Sequence, residues 1–478
     1  MNVESGGTRP AVLAGQFYPA DPGALARMVD DCLAAADNYP GQPKAVIAPH
    51  AGFVYSGPIA GTAYAAIRWR RAQIRRVVML GPCHRVPVRQ FAVPRYDAFE
   101  TPLGKVPLDR EGIAAALRLP GVEQRDDAHL PEHCLETQLP FLQRLLDDFT
   151  ILPILVGAAT PEATAALLEA LWGGEETLVV ISSDFSHFHD YETAQRLDTA
   201  ACHAIEVLDP ASLGEEQACG RHAIRGLLTR AQALDLRATT LDLRNSGDTA
   251  GKARRESVVG YGALAFEDAA TARTGETARR QLLETAAGAI AGGLRGNGAN
   301  GKGNGRGGPP TIDPARFPWP LRAIRASFVT LKAGGELRGC VGSATAHQPL
   351  IADVAASAYR AAFGDRRFED LSREEFLSLD GGLELSISIL SRPRPLAAAN
   401  EADALAALQP QVDGVILKDG EHGALFLPQV WASLPEPRDF LARLKLKAGL
   451  AEDHWSDGLQ LFRFRTESFG TQMKARQA

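Results

Sequence analysis

The stretch Leu178–His187, LVVISSDFSH, runs from a β-branched apolar core through Ser182 and Ser183 to a carboxylate and a histidine. A short apolar run bounded by small polar residues reads as a buried parallel strand. Two other stretches share this grammar and also end on a histidine: Val46–His50 (VIAPH) and Val77–His84 (VVMLGPCH). The residue just past a buried parallel strand stands at the carboxyl edge of an α/β sheet, where ligands bind. One pattern, used three times, predicts that His50, His84, Asp184 and His187 meet in a single crevice as a metal or acid/base site.

Outward from these runs, the chain alternates apolar strands with helical stretches. Strands are expected at Ala45–Ala48, Val77–Leu80, Ile151–Val156, Leu178–Ser182 and Val258–Phe266, and helices at Ile59–Trp69, Glu136–Leu146, Pro161–Trp172 and His222–Leu234. That alternation predicts an α/β N-terminal domain, residues 1–267, with a mostly parallel central sheet. Residues 268–276 are polar and small and mark a junction. A helix is expected at Thr277–Ala291, then a flexible Gly/Asn-rich insertion at 292–310 that is too poor in apolar residues to bury anything. Within it Gly296, Gly298 and Gly301 spell G-x-G-x-x-G, but no strand precedes them and Gly303 stands where a P-loop needs Ser or Thr. From 277 to 478 the pattern is α+β. Strands are expected at Ser327–Lys332 and Leu383–Leu390, helices at Leu350–Ala362 and Phe440–Leu450, and a hairpin around Asp419-Gly420.

The 478 residues carry 23% charged and 45% hydrophobic side chains with a net charge of −6, the profile of a soluble globular protein with room for two or three domains. There is no basic footprint for nucleic acid or an anionic membrane. Nor is any apolar run long enough to span a bilayer. Met1–Pro10 lacks the apolar core of a signal peptide, and the six cysteines show no paired spacing, so reduced thiols in a cytoplasm are expected.

Several residues invite a chemical reading beside a structural one. Cys219 precedes a helix start, where the dipole favours a thiolate suited to a metal or to nucleophilic attack; the alternative is a small residue at a tight turn. Asp184 and His187 could form a carboxylate–histidine acid/base pair, with His189 a competitor for His187. His129-Leu130-Pro131-Glu132-His133 imitates a zinc-peptidase motif, yet Pro131 prevents the continuous helix that motif needs. Pro131 instead suits a first helical position, with His133 and Glu136 one turn apart. In the C-terminal half Cys340 lies between Gly339 and Gly342, beside Arg338, which could bind an anion; it is either a reactive thiol or a buried one. His422 falls at a hairpin tip and is expected to be exposed.

The segments APHAG (Ala48–Gly52), GPCH (Gly81–His84), EHCLE (Glu132–Glu136), SSDFSH (Ser182–His187) and CGRH (Cys219–His222) resemble the Memo family, in that family's order. The resemblance implies a fold similar to the class III extradiol dioxygenases, which use non-haem iron(II). It also implies His50, His84 and Cys219 as metal ligands, and His187, with Asp184 and His133 nearby, as the acid/base group. Cys219 replaces the carboxylate of the dioxygenase triad, and a thiolate would also suit copper or zinc. The segments LRGCVGS (Leu337–Ser343), DRRFEDL (Asp365–Leu371), LELSISIL (Leu383–Leu390), FLPQVW (Phe426–Trp431) and KAGL (Lys447–Leu450) resemble the AMMECR family. This pairing is similar to the AmmeMemoRadiSam system, which implies a radical-SAM protein as partner. The expectation is a cytoplasmic two-domain metalloprotein performing oxygen-dependent or redox chemistry on a small molecule, with Cys340 as a further catalytic candidate. The alternatives are a non-catalytic metal- or ligand-binding scaffold or chaperone, and hydrolysis at zinc.

Overall fold

A computed structural model describes residues 7–250, 255–296, 309–379 and 382–473. The chain forms two compact units, Met1–Arg273 and Thr274–Ala478.

In the first unit the strands Ala45–Ala48, Thr177–Ser182, Arg76–Pro82 and Thr150–Val156 lie side by side and parallel. Each is buried almost throughout, which is why each reads as a continuous apolar run rather than an alternating one. Register pairs Ala48 with Ser182 and Leu80 with Ile181, so the carboxyl ends are level and the following loops share one edge. The sheet is mixed at its margins. Val258–Asp268 runs antiparallel to Ala45–Ala48 and also pairs with Leu236–Asn245 and His187–His189, while Phe91–Val93 lies antiparallel to Thr150–Val156.

Helices Pro161–Leu171 and Arg221–Leu234 fall where the apolar periodicity puts them. The helix expected at Ile59–Trp69 instead spans Phe53–Ala65, with Pro58 inside it. Pro131 does not open a helix either. Residues 130–135 form turns, and helical geometry begins with a 3₁₀ turn at Glu136–Gln138 before Leu139–Leu145. His133 and Glu136 are thereby separated, one to the crevice and one to a buried ion pair.

The second unit contains two four-stranded antiparallel sheets. In the first the order is Glu336–Gly342, Ser327–Ala333, Leu383–Leu390, Thr466–Met473, with helices Glu276–Gly296 and Leu350–Phe363 packed on one face through Leu282, Ile290, Val354, Val329 and Ile387. The second, with His422–Phe426 and Gly414–Asp419 as its hairpin, packs on helix Pro437–Lys447, where Trp431 stacks on Phe440 at 3.8 Å. The first residues of the Gly-rich run continue the helix, and Leu294 is buried in the core, so the expectation that the run buries nothing fails there. Apolar contact outweighs the poor helix propensity of Gly292 and Gly293. Residues 297–308, with most of the expected insertion and its glycine motif, lie outside the described residues. Among the described residues no helix is long and apolar enough to cross a membrane.

Gly339 lets its edge strand lie directly on helix Leu350–Phe363, since an added Cβ would fall inside contact distance of the Ala361 carbonyl oxygen. That neighbour is backbone and cannot swing aside, so Gly339→Ala should destabilise the second unit by roughly 1–3 kcal/mol in chemical denaturation. An unchanged midpoint would show that sheet and helix separate freely there.

Candidate metal centre

Three loops at the carboxyl edge of the parallel strands deliver His50, His84 and His133. One ring nitrogen of each lies within 4.8 Å of the others. Ring centroids are 5.2 Å apart for His50–His84, 5.3 Å for His50–His133 and 4.5 Å for His84–His133.

The hydrogen bonds assign the free nitrogens. Ser182 Oγ donates to the Cys134 carbonyl at 2.6 Å and accepts from Gln138 Nε2 at 2.8 Å. A hydroxyl has one proton to give, so the 2.9 Å contact between Ser182 Oγ and His50 Nδ1 requires the histidine to donate. This tautomer leaves a lone pair on His50 Nε2. Gln138 also donates to the Pro49 carbonyl at 2.9 Å and accepts from Tyr64 at 2.8 Å, fixing the strand end that carries His50.

Glu132 does the equivalent for His84. It is buried, and its carboxylate accepts from the His84 amide at 2.6 Å, His84 Nδ1 at 2.9 Å, the His133 amide at 2.8 Å and the Cys134 amide at 3.1 Å. Burial opposes its charge, but contacts with His133 and His84 outweigh burial and hold the carboxyl well below its ordinary range. His84 Nε2 is left free. His133 Nδ1 lies 3.0 Å from the same carboxylate without making a hydrogen bond, an orphaned buried nitrogen. Burial, then the neighbouring His84 and His133, hold the His50 ring far below its usual pKa, and therefore neutral. Nitrogen lone pairs gathered round one point, backed by a buried carboxylate, form a donor set that fits a divalent transition-metal ion. The other compact group, His84, Glu132 and Cys134, is less suited: Cys134 donates to the Pro82 carbonyl at 3.2 Å and Glu132 is already saturated.

Cys219 stands against this set, with Sγ 3.4 Å from His50 Nε2 and 3.5 Å from the Asp184 carbonyl oxygen. It precedes helix Arg221–Leu234 as expected, but its thiol is not eased toward thiolate. Burial, then Asp184, push it up to about 12. Desolvation beats the helix terminus here, and only a bound cation would draw the proton off. Asp184 is buried and accepts from the His50 amide at 2.7 Å, with Oδ2 3.9 Å from His50 Nε2. Burial raises its pKa against the opposing pull of the His50 amide, His187 and His133.

His187 is half-buried and lies within electrostatic reach of both Asp184 and His50. His189, two residues along the same short strand, lies within reach of Asp198 instead, which separates the two histidines that spacing leaves equivalent. Between them Phe188 has a φ of 61° and is 76% exposed. His129, the decoy of the peptidase-like motif, is buried apart, with its Nε2 3.0 Å from the Ala92 carbonyl.

In the second unit Cys340 is half-buried on an edge strand. Arg338, expected to be available to an anion, is already engaged by both oxygens of Glu375. His422 is exposed, as its hairpin position suggests, with Nδ1 3.0 Å from the Ala448 carbonyl.

Glu132, Ser182 and Gln138 escaped the residue-by-residue reading. Glu132 adjoins His133 in EHCLE and could have been suspected; Ser182 and Gln138 matter only through contacts across 132 and 44 residues of sequence.

The first unit is thus an α/β protein whose mixed sheet, parallel at its centre, gathers three imidazoles at its carboxyl edge. Sequence comparison gives the family. The profile of the family described as Memo-like protein matches residues 9–265, and that described as AMMECR1 matches residues 304–469. The chain belongs to the Memo family and joins an AMMECR1 region to it in one polypeptide. Relatives named MEMO1 family protein include one from Ignicoccus hospitalis, 34% identical over 54% of this chain and 98% of its own length. Another, from Aquifex aeolicus, is 35% identical over the same shares. Among solved structures, an uncharacterized protein from Pyrococcus horikoshii matches with 28% identity over 40% of this chain and 89% of its own, at a TM-score of 0.33.

Glu132→Gln leaves the volume but weakens the acceptor that orients His84, and should lower metal affinity about 10–100-fold in a competitive chelator titration. Unchanged affinity would mean that His84 is held by other contacts.

Proposed function

We propose that the Memo half is a non-haem metal site that binds iron(II) and carries out oxygen-dependent or redox chemistry on a small molecule. The observation that carries this reading is the convergence of three imidazole nitrogens within 4.8 Å of one another, with the Cys219 sulfur 3.4 Å from His50 Nε2. His50, His84 and Cys219 are assigned as ligands; copper or zinc would also suit this donor set. His133 is the competitor for the third position, because its ring nitrogen belongs to the compact set. Iron(II), when bound, would supply redox chemistry and open coordination positions.

The chain's own residues provide the rest. Asp184, buried and raised in pKa, stands beside the crevice within electrostatic reach of the half-buried His187, and the two supply the carboxylate–histidine acid/base pair of this reading. Ser182 and Glu132 fix which ring nitrogens face the metal. A cytoplasmic location and a radical-SAM partner belong to this reading through the family pairing. The second reading is a metal- or ligand-binding scaffold with no turnover, which the same donor set would also serve.

The test is metal content after anaerobic purification, in wild type and in His50→Ala, Cys219→Ala and His133→Ala. Near-stoichiometric iron is expected in wild type and lost in His50→Ala, with the third ligand identified by whichever of the other two also loses it. His187→Ala should keep the metal and lose turnover. Wild type that takes up no iron, copper or zinc on reconstitution would defeat the metal-site reading.

A further inference from the structure

The first sheet of the second unit is covered by helices on one face only. Val329, Leu331, Leu385 and Ile387 point into that core. The alternate residues therefore face the other way. Register places Cys340 beside Thr330, Thr330 beside Ser386 and Ser386 beside Gly470, a row of one thiol, two hydroxyls and a glycine across four strands. Thr330 Oγ1 donates to Cys340 Sγ at 3.3 Å. One step along, Ser388 is buried under Gln429 (3.2 Å) and Ser468 (2.8 Å), but Cys340, Thr330 and Ser386 are only half-buried. On the same face Phe328 and Leu390 pack against Ile416, Leu427 and Phe464, so the polar row lies at the margin of that contact and is partly exposed.

The charges round it are unevenly matched. Asp365 accepts from the Cys340 amide at 2.9 Å and is neutralised by Arg367 at 2.7 Å, while Glu375 is taken by Arg338. Lys447, within electrostatic reach of Cys340 and Arg367, has no carboxylate partner among the described residues. Its ammonium donates to the Leu425 carbonyl at 3.0 Å and lies 5.0 Å from the Phe426 ring centre. Arg443, one turn earlier on helix Pro437–Lys447, also has no ion-pair partner among the described residues, and with Lys447, Phe426 and Leu434 it lines a cleft of ≈ 590 Å³. Two cations spaced i, i+4 repel each other. An anion between them removes that repulsion.

We propose that this cleft and the neighbouring hydroxyl row together form a second ligand site, which takes a small hydroxylated organic anion. Its phosphate or carboxylate lies against Lys447 and Arg443, its hydroxyls face the Thr330–Ser386 row, and the Cys340 thiol stands beside it. The site is built wholly within the second unit and is independent of the metal reading.

The test uses the full chain and the rate of Cys340 alkylation by iodoacetamide, followed by peptide mass spectrometry. Glycerol 3-phosphate and malate serve as phosphate and carboxylate probes. A probe at about ten times its Kd should slow Cys340 alkylation roughly ten-fold. Cys32, in the first unit, should be unaffected. Protection should vanish in Lys447→Gln and survive in Lys447→Arg, with thermal unfolding unchanged in both. Protection by one probe alone supports the site and names its anion. Protection by neither, or protection that persists in both Lys447→Gln and Arg443→Gln, overturns it. If Cys340 resists alkylation, the probes are titrated calorimetrically against wild type and Lys447→Gln, and equal heats overturn it as well.

Discussion

A buried guanidinium fastens the beginning of the first unit to the loop that builds its crevice. Arg9, 1% exposed, pairs with Glu136 at 2.6 Å and donates to the carbonyls of His129, Leu130 and Glu132 at 2.8, 3.2 and 2.6 Å. Glu136 in turn accepts from the amides of Val12 and Leu13 and from Tyr18, whose hydroxyl is pushed far up by burial and by that carboxylate. Every polar atom of the pair is occupied, which lets two charges survive without water. Loop 129–136 has little regular structure of its own to hold it. This network holds it, and both Glu132 and His133 ride on it.

From that loop the constraint passes to the crevice by charge. Glu132 is an ionised group set between His84 and His133, and its negative charge offsets the burial of its neighbours. His50 has no such carboxylate bonded to its ring; a serine hydroxyl holds it, and it stays neutral. The same low-dielectric surroundings raise Cys219, Cys134 and Asp184 together. A neutral His50 beside raised thiols and a raised carboxyl suits a cation, because a positive charge lowers all of those pKa values at once.

The second unit is organised differently. Its sheets are antiparallel, and polar residues alternate with apolar ones along Ser327–Ala333 and Leu383–Leu390, whose second face is covered in part by the other sheet. Gly339 and Gly342, which frame Cys340, are explained by packing, since added Cβ atoms would meet the Ala361 and Ser327 carbonyl oxygens. The glycines therefore say nothing about reactivity at Cys340; what distinguishes that residue is the half-buried hydroxyl row beside it and Lys447 within electrostatic reach.

The sequence alone determined the parallel strands of the first unit and the edge at which their histidines emerge. A strand buried on both faces must be continuously apolar, and its end must be marked by the first polar or small residues, so Ala45–Ala48 and Thr177–Ser182 were legible almost to the residue. The strand Leu236–Asn245 was not, because its mixed burial blurs the alternation, and neither was helix Tyr191–Glu206. Only tertiary structure decided which nitrogens are free, that His133 joins His50 and His84, that His187 rather than His189 reaches Asp184, and that the Cys219 thiol is raised instead of lowered. Those outcomes depend on desolvation and on partners distant in sequence, such as Glu136 for Arg9 and Ser182 for His50. Residue order records periodicity, a local property, whereas the protonation of a buried group is fixed by everything packed around it.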